Sequence, residues 1–135
     1  MAGIEGDGLL TMDEILTLKL DADWVVLSAC NTGAGTGEGA EAATGLARAF
    51  FYAGTRAVLV TNWSVHSASA GELVSDLFQR QALEPGLARS EALRRAMVHV
   101  LDDGAFVGPD GKALFAYAHP LFWAPYSILG DGGTN

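Results

Sequence analysis

Trp24-Val25-Val26-Leu27-Ser28-Ala29-Cys30-Asn31-Thr32-Gly33, residues 24–33, is the stretch on which the fold turns. Residues 24–29 form a short apolar run rich in β-formers that ends in polar and glycine residues, the pattern of a strand buried on both faces in a parallel sheet. Asn31 to Gly39 carries four glycines and reads as a loop. Cys30 therefore stands at the carboxyl end of a buried strand, before a loop that feeds a helix. Open α/β sheets place their sites at strand carboxyl ends. A nearby helix N-terminus favours thiolate over thiol, the reactive form. The glycines leave backbone N–H groups accessible to a developing oxyanion. The alternative reading is a buried structural cysteine, since free cysteine is among the most buried residue types.

Outward from this stretch the chain alternates helix and strand signals. Thr11 to Leu18 reads as a short helix, with Thr11 as N-cap and Glu14 three residues on, the capping-box pattern. Residues 1–8 are glycine- and acid-rich and are expected to be loosely ordered. Ala40 to Ala53 has helical composition and stops at Gly54, a natural residue just past a helix end. Ala57 to Thr61 is a second buried strand. Ser67 to Leu83 is a helix with Leu73, Leu77 and Phe78 on one stripe, ended by Glu84-Pro85-Gly86. A further helix starts near Ser90 and turns Leu93, Ala96, Met97 and Val100 inward. Asp102 to Gly111 reads as a polar turn region. Leu121 to Leu129 reads as a last strand interrupted by Pro125, hence at an edge or bulged. The order α-β-α-β-α-α-β predicts an α/β fold with a mostly parallel sheet. The unit from Trp24 to Thr61 is expected to be a right-handed βαβ crossover.

Bulk properties remove several function classes. The 135 residues suffice for one domain with a real core. Half are apolar and 18% charged, a globular balance rather than a disordered one. The net charge of −8 with eight scattered basic residues argues against nucleic-acid or anionic-membrane binding. One cysteine excludes an internal disulfide framework and makes a reducing, cytoplasmic setting the expectation. The N-terminus carries acids where a signal peptide needs bases, and no apolar run is long enough to span a membrane. The three histidines (His66, His99, His119) and Cys30 lie far apart without paired-ligand spacing, so no metal and no cofactor is expected. The glycine loop fits nucleotide poorly. It has no lysine, and Glu38 and Glu41 would repel a pyrophosphate.

Val25 to Gly33 resembles the nucleophile motif of CHAT domains, caspase-like cysteine peptidases often found beside tetratricopeptide repeats. Gly37-Glu38 is similar to the Gly-Glu that follows in that family. Ala49-Phe50 through Ala53-Gly54 resembles its helix end. Asn62-Trp63-Ser64-Val65 is similar to its Leu-Trp-x-Val segment, and His119-Pro120-Leu121-Phe122-Trp123-Ala124 to its His-Pro-x-x-Trp-Ala segment. The similarity runs from about Asp7 to Gly130. It implies a caspase-like three-layer fold, here incomplete at the N-terminal side, with residues 1–135 forming a single partial domain. It implies Cys30 as nucleophile, with Asn31, Thr32 and Gly33 in the oxyanion loop and Trp63, Ser64 and Val65 against a protein or peptide substrate. Tetratricopeptide repeats or a regulatory partner are the expected company. Ser28 departs from the wider caspase pattern, which prefers Gln or Asp, but serine is common there in CHAT domains. The family's base is a histidine in a His-Gly motif upstream of the nucleophile strand, and no histidine precedes Cys30. His66 is the local candidate to replace it, and is read as a substrate-loop residue ahead of a base. His99 and His119 are read as structural. A non-catalytic CHAT-like interaction module is the alternative to a peptidase.

Overall fold

The computed structural model of the chain describes residues 10–27, 37–63 and 65–133. The loosely ordered segment expected at residues 1–8 lies outside them. Helix α1 (Met12–Thr17) starts at a complete capping box. The Thr11 hydroxyl accepts from the Glu14 N–H at 3.3 Å, and the Glu14 carboxylate accepts from the Thr11 N–H at 2.7 Å. The bond from Thr11 holds the Glu14 carboxyl below the usual carboxylate range. Strand β1 (Ala22–Leu27) follows, then α2 (Gly37–Tyr52) and β2 (Thr55–Thr61). Gly54 joins α2 to β2 with φ +105°, and a Cβ there would stand 1.9 Å from the Leu20 carbonyl oxygen. Only glycine fits this joint.

Helix α3 (Ser67–Leu83) leaves the carboxyl end of β2, and α4 (Arg89–Asp103) returns beside it. The hairpin β3 (Ala105–Val107) and β4 (Ala113–Ala116), the single turn α5 (Pro120–Trp123) and β5 (Tyr126–Gly130) complete the chain. Sheet order is β1-β2-β5. β1 and β2 are parallel, with Leu27 opposite Val60, whereas β5 is antiparallel to β2, with Tyr126 opposite Thr61.

The α/β class is thus observed, but the described sheet is mixed rather than mostly parallel. The reason is a matter of parity. A single helix between strands carries the chain back to the starting end, which gives a parallel neighbour. Two helices, α3 and α4, carry it down and up again, so β5 starts at the carboxyl end and must run the other way. Three further expectations change. The loop expected to run through Gly39 gives way to α2 from Gly37. Residues 121–123 of the supposed last strand lie in α5, because His119 caps it and Pro120 suits a first helical turn. Part of the supposed turn region is the hairpin β3–β4, closed by Gly108-Pro109-Asp110-Gly111. Lys112 N–H donates to the Asp110 carboxylate at 3.1 Å, and Gly111 sits at φ +76°.

Alternation along the strands separates two cores. Val58 and Val60 of β2, with Val25 and Leu27 of β1, face Ile15, Ala47 and Phe50 of α1 and α2. Leu59, with Trp24, Val26, Tyr126 and Ile128, faces Leu73, Leu77, Leu93, Ala96 and Val100 of α3 and α4. Helices therefore cover both faces. Each fully buried Leu or Val contributes about 1.5–3 kcal/mol of burial.

At the amino end of the sheet the charges interlock. Arg89 is fully buried at the start of α4 and lies 3.6 Å from Asp23 and 3.7 Å from Asp131, with its guanidinium 5.9 Å from the Trp24 ring centre. It also donates to the carbonyls of Asp131 and Gly133, tying the end of the chain to β1.

Candidate functional site

Of the residues singled out by sequence, the described ones that follow a strand's carboxyl end are Trp63 and Val65, after β2. The described part of β1 stops at Leu27, three residues before Cys30. Cys30, Asn31, Thr32, Gly33 and Ser64 lie outside the described residues. Trp63 and Val65 are described, and both follow directly from the end of β2. Asn62 fixes their starting point: its N–H donates to the Pro125 carbonyl at 2.7 Å and its side-chain amide to the Ser127 hydroxyl at 2.8 Å.

The Trp63 indole is half-buried and donates to the Leu121 carbonyl of α5 at 3.4 Å. Val65 turns inward and packs on the α3–α4 core. Trp24 and Trp123 are both half-buried. The Trp24 indole donates to Gln81 at 2.7 Å, and that of Trp123 to the Ala118 carbonyl at 3.1 Å.

All three histidines hold structural posts. His66 is the N-cap of α3: its Nδ1 accepts from the Ser69 N–H at 3.4 Å, and the Ser69 hydroxyl returns a bond to the His66 carbonyl at 3.0 Å. Its ring is boxed by Phe106, Phe115, Tyr117 and Phe122, with centroids 5.4, 5.8, 5.7 and 5.7 Å away. His119 caps α5 in the same manner, accepting from the Leu121 N–H at 3.1 Å. It thereby starts α5. His99 lies between Glu72 at 3.4 Å and Asp103 at 3.6 Å.

The aromatic box escaped the sequence reading. Phe106 and Phe115 come from the two strands of the hairpin and stack at 5.1 Å. The available signal was the Pro-Asp-Gly turn between two short apolar runs. The box is apolar. Burial, with the Glu72 charge as a lesser cause, pushes the Tyr117 hydroxyl above the usual tyrosine range. Beside it, the Tyr126 hydroxyl is buried with no hydrogen-bond partner among the described residues, and burial pushes it up to about 12. Among the described residues, no group of three or more His, Cys, Asp or Glu could hold a metal ion. None of the helices searched is long and apolar enough to cross a membrane.

These elements, in this order, meet a known family. The family model of the CHAT domain matches residues 2–131, and the chain belongs to that family. Tetratricopeptide repeat protein 28 of Mus musculus is 34% identical over 125 residues, and its Homo sapiens counterpart 31% identical over 123. Each alignment covers 91% of this chain but only 4% of the relative, so the chain spans a small fraction of the curated relatives it matches. No solved structure matches the chain at a significant level.

Proposed function

We propose that this chain carries the nucleophile of a caspase-like cysteine endopeptidase centre. The observation that supports this best is the parallel pairing of β1 and β2 with Leu27 opposite Val60. The described carboxyl ends of β1 and β2 lie side by side, and in this reading the residues that follow them, the Cys30 segment and Trp63–Val65, share one site. In this reading residues 1–135 are one part of a three-layer, caspase-like domain with a larger parallel sheet, in a reducing cytoplasmic setting that keeps Cys30 a thiol.

The chemistry follows from the residue types. The Cys30 thiolate attacks the scissile carbonyl carbon, and the C–S bond forms as the carbonyl electrons move to oxygen. Backbone N–H groups of Asn31, Thr32 and Gly33 stabilise that oxyanion. Collapse breaks the C–N bond, the departing amine takes a proton from the base, and water then hydrolyses the thioester. The base is a histidine outside residues 1–135, since His66 and His119 serve as helix caps and His99 lies between the Glu72 and Asp103 carboxylates. Trp63 walls the substrate groove. With the Val65 side chain turned to the core, the backbone of Ser64 and Val65 is what a substrate strand meets. The substrate is a protein or peptide, and tetratricopeptide repeats are the regulatory partners best matched to the relatives' name.

The employment of every histidine elsewhere favours a second reading, a CHAT-like module that binds a protein without cleaving it. Labelling by an electrophilic peptide ketone, together with hydrolysis of a mixed peptide library, separates the two. A chain extended upstream should be labelled and active, Cys30→Ala should abolish both, and residues 1–135 alone should show little hydrolysis. An extended chain that neither labels nor cleaves would refute the peptidase reading.

A further inference from the structure

β5 is an outer strand of the sheet, and its outward backbone groups make no hydrogen bond to any other described element. Natural edges are usually blunted by lysine, proline or a bulge. Tyr126-Ser127-Ile128-Leu129-Gly130 has none of these within the strand, and its register with β2 is unbroken.

A second observation lies at the far end of this edge. Arg48, Phe51 and Tyr52 line an open groove of about 430 Å³. Phe51 and Tyr52 lie three and four residues after Arg48 on α2, so each is its neighbour on the helix surface. The Phe51 ring lies against β5 itself, for a Cβ on Gly130 would come within 2.7 Å of it. Gly130, at φ +92°, leaves room for that ring. Tyr52 is 84% exposed. Arg48 forms no ion pair among the described residues, unlike Arg56, Arg80, Arg89, Arg94 and Arg95.

We infer that the β5 edge and this groove form a docking site for an extended acidic segment of a partner protein. The backbone of the segment adds as a strand along Ser127–Gly130, which supplies affinity without sequence demand. Its carboxylate meets the Arg48 guanidinium in charge-assisted bonds, and the side chain beside it lies on Phe51 and Tyr52. The charge decides the occupant. The Arg48 guanidinium, without an ion pair among the described residues and beside two aromatic rings, selects a carboxylate. The groove borders Gly130, opposite Ala57 near the start of β2, whereas Trp63 follows the end of β2, so the proposal holds whether or not the peptidase reading does.

The test is fluorescence anisotropy of residues 1–135, with a labelled, capped peptide that alternates threonine and glutamate. Saturable binding that weakens with salt is expected. Arg48→Gln should weaken it about five-fold, Arg48→Lys less, and methylation of alternate peptide amides should abolish it. Arg48 is exposed, so the variant's circular dichroism should match the parent. Trp63→Ala should leave binding unchanged. Equal binding of a lysine-for-glutamate peptide, indifference to Arg48→Gln or to amide methylation, or loss of binding in Trp63→Ala would each overturn the proposal. So would sedimentation showing that a second copy already occupies the edge.

Discussion

Strands β1 and β2 are parallel neighbours of nearly equal apolar character, yet they live in different environments. Ala57, Val58, Leu59 and Val60 of β2 are 0–6% exposed. Trp24, Val25, Val26 and Leu27 of β1 are all only half-buried. β2 has a strand on each side and a helical layer on each face, whereas β1 has a described neighbour on one side only. Position in the sheet, rather than hydrophobicity, sets how much water each side chain loses. A central strand gathers most of its stability from burial, and an outer strand keeps part of its binding capacity in reserve.

The joint between the two strands offers the most severe way to break this contrast. Gly54→Ala should cost at least about 3 kcal/mol, since it combines a forbidden φ with a clash on the Leu20 carbonyl. Urea denaturation measures it, and a loss below about 1 kcal/mol would mean that the β1–β2 joint can shift. Next in size is a paired truncation. Leu59→Ala in β2 should cost about 3–4 kcal/mol through lost burial and a residual cavity, and Val26→Ala opposite it in β1 about 1 kcal/mol. Equal losses in parallel melts would show that β1 is as enclosed as β2.

Tyr126 sharpens the comparison at the other outer strand, where one residue is buried as deeply as those of β2. Tyr126→Phe removes a buried hydroxyl without a described partner and should be neutral or stabilising by up to about 1 kcal/mol. A clear destabilisation would reveal a bond to that hydroxyl. The same group sets an alkaline limit. Its folded pKa, about 12, lies above the unfolded value near 10, so its contribution is whole below pH 10 and is lost as the pH rises through 12. Tyr126→Phe should therefore flatten the decline in stability above pH 10. The smallest effect belongs to Arg56, the one exposed residue of β2, which reaches Asp21 at 2.9 Å and Asp23 at 3.1 Å. Arg56→Ala should cost less than about 1 kcal/mol, and less again in high salt. A salt-independent loss would assign Arg56 a packing role.

Legibility from sequence followed the range of the interactions. The capping box at Thr11, the glycine after α2 and the apolar runs of β1 and β2 all read correctly, because caps, turns and side-chain periods act within a few residues. The end of the chain read less well. Pro120 and His119 start a helical turn inside what looked like a strand, since a local cap outweighs the β-propensity of Leu121-Phe122-Trp123. Of the candidate site, the gathering of Trp63 and Val65 at a strand's carboxyl end followed from strand order. The inward turn of Val65 and the boxing of His66 did not, because Phe106, Phe115, Tyr117 and Phe122 lie 40 to 56 residues away in sequence.

By itself the sequence determined the α/β class, the two-sided burial of β2 and the family to which the chain belongs. Those are properties of local pattern and ordered motifs. Tertiary structure alone decided the direction of β5, the half-buried state of β1 and the duty of each histidine. Each of these depends on which elements become neighbours. That choice is made by packing two helical layers on one sheet, where the number of crossings and the order of strands outrank any single residue's preference.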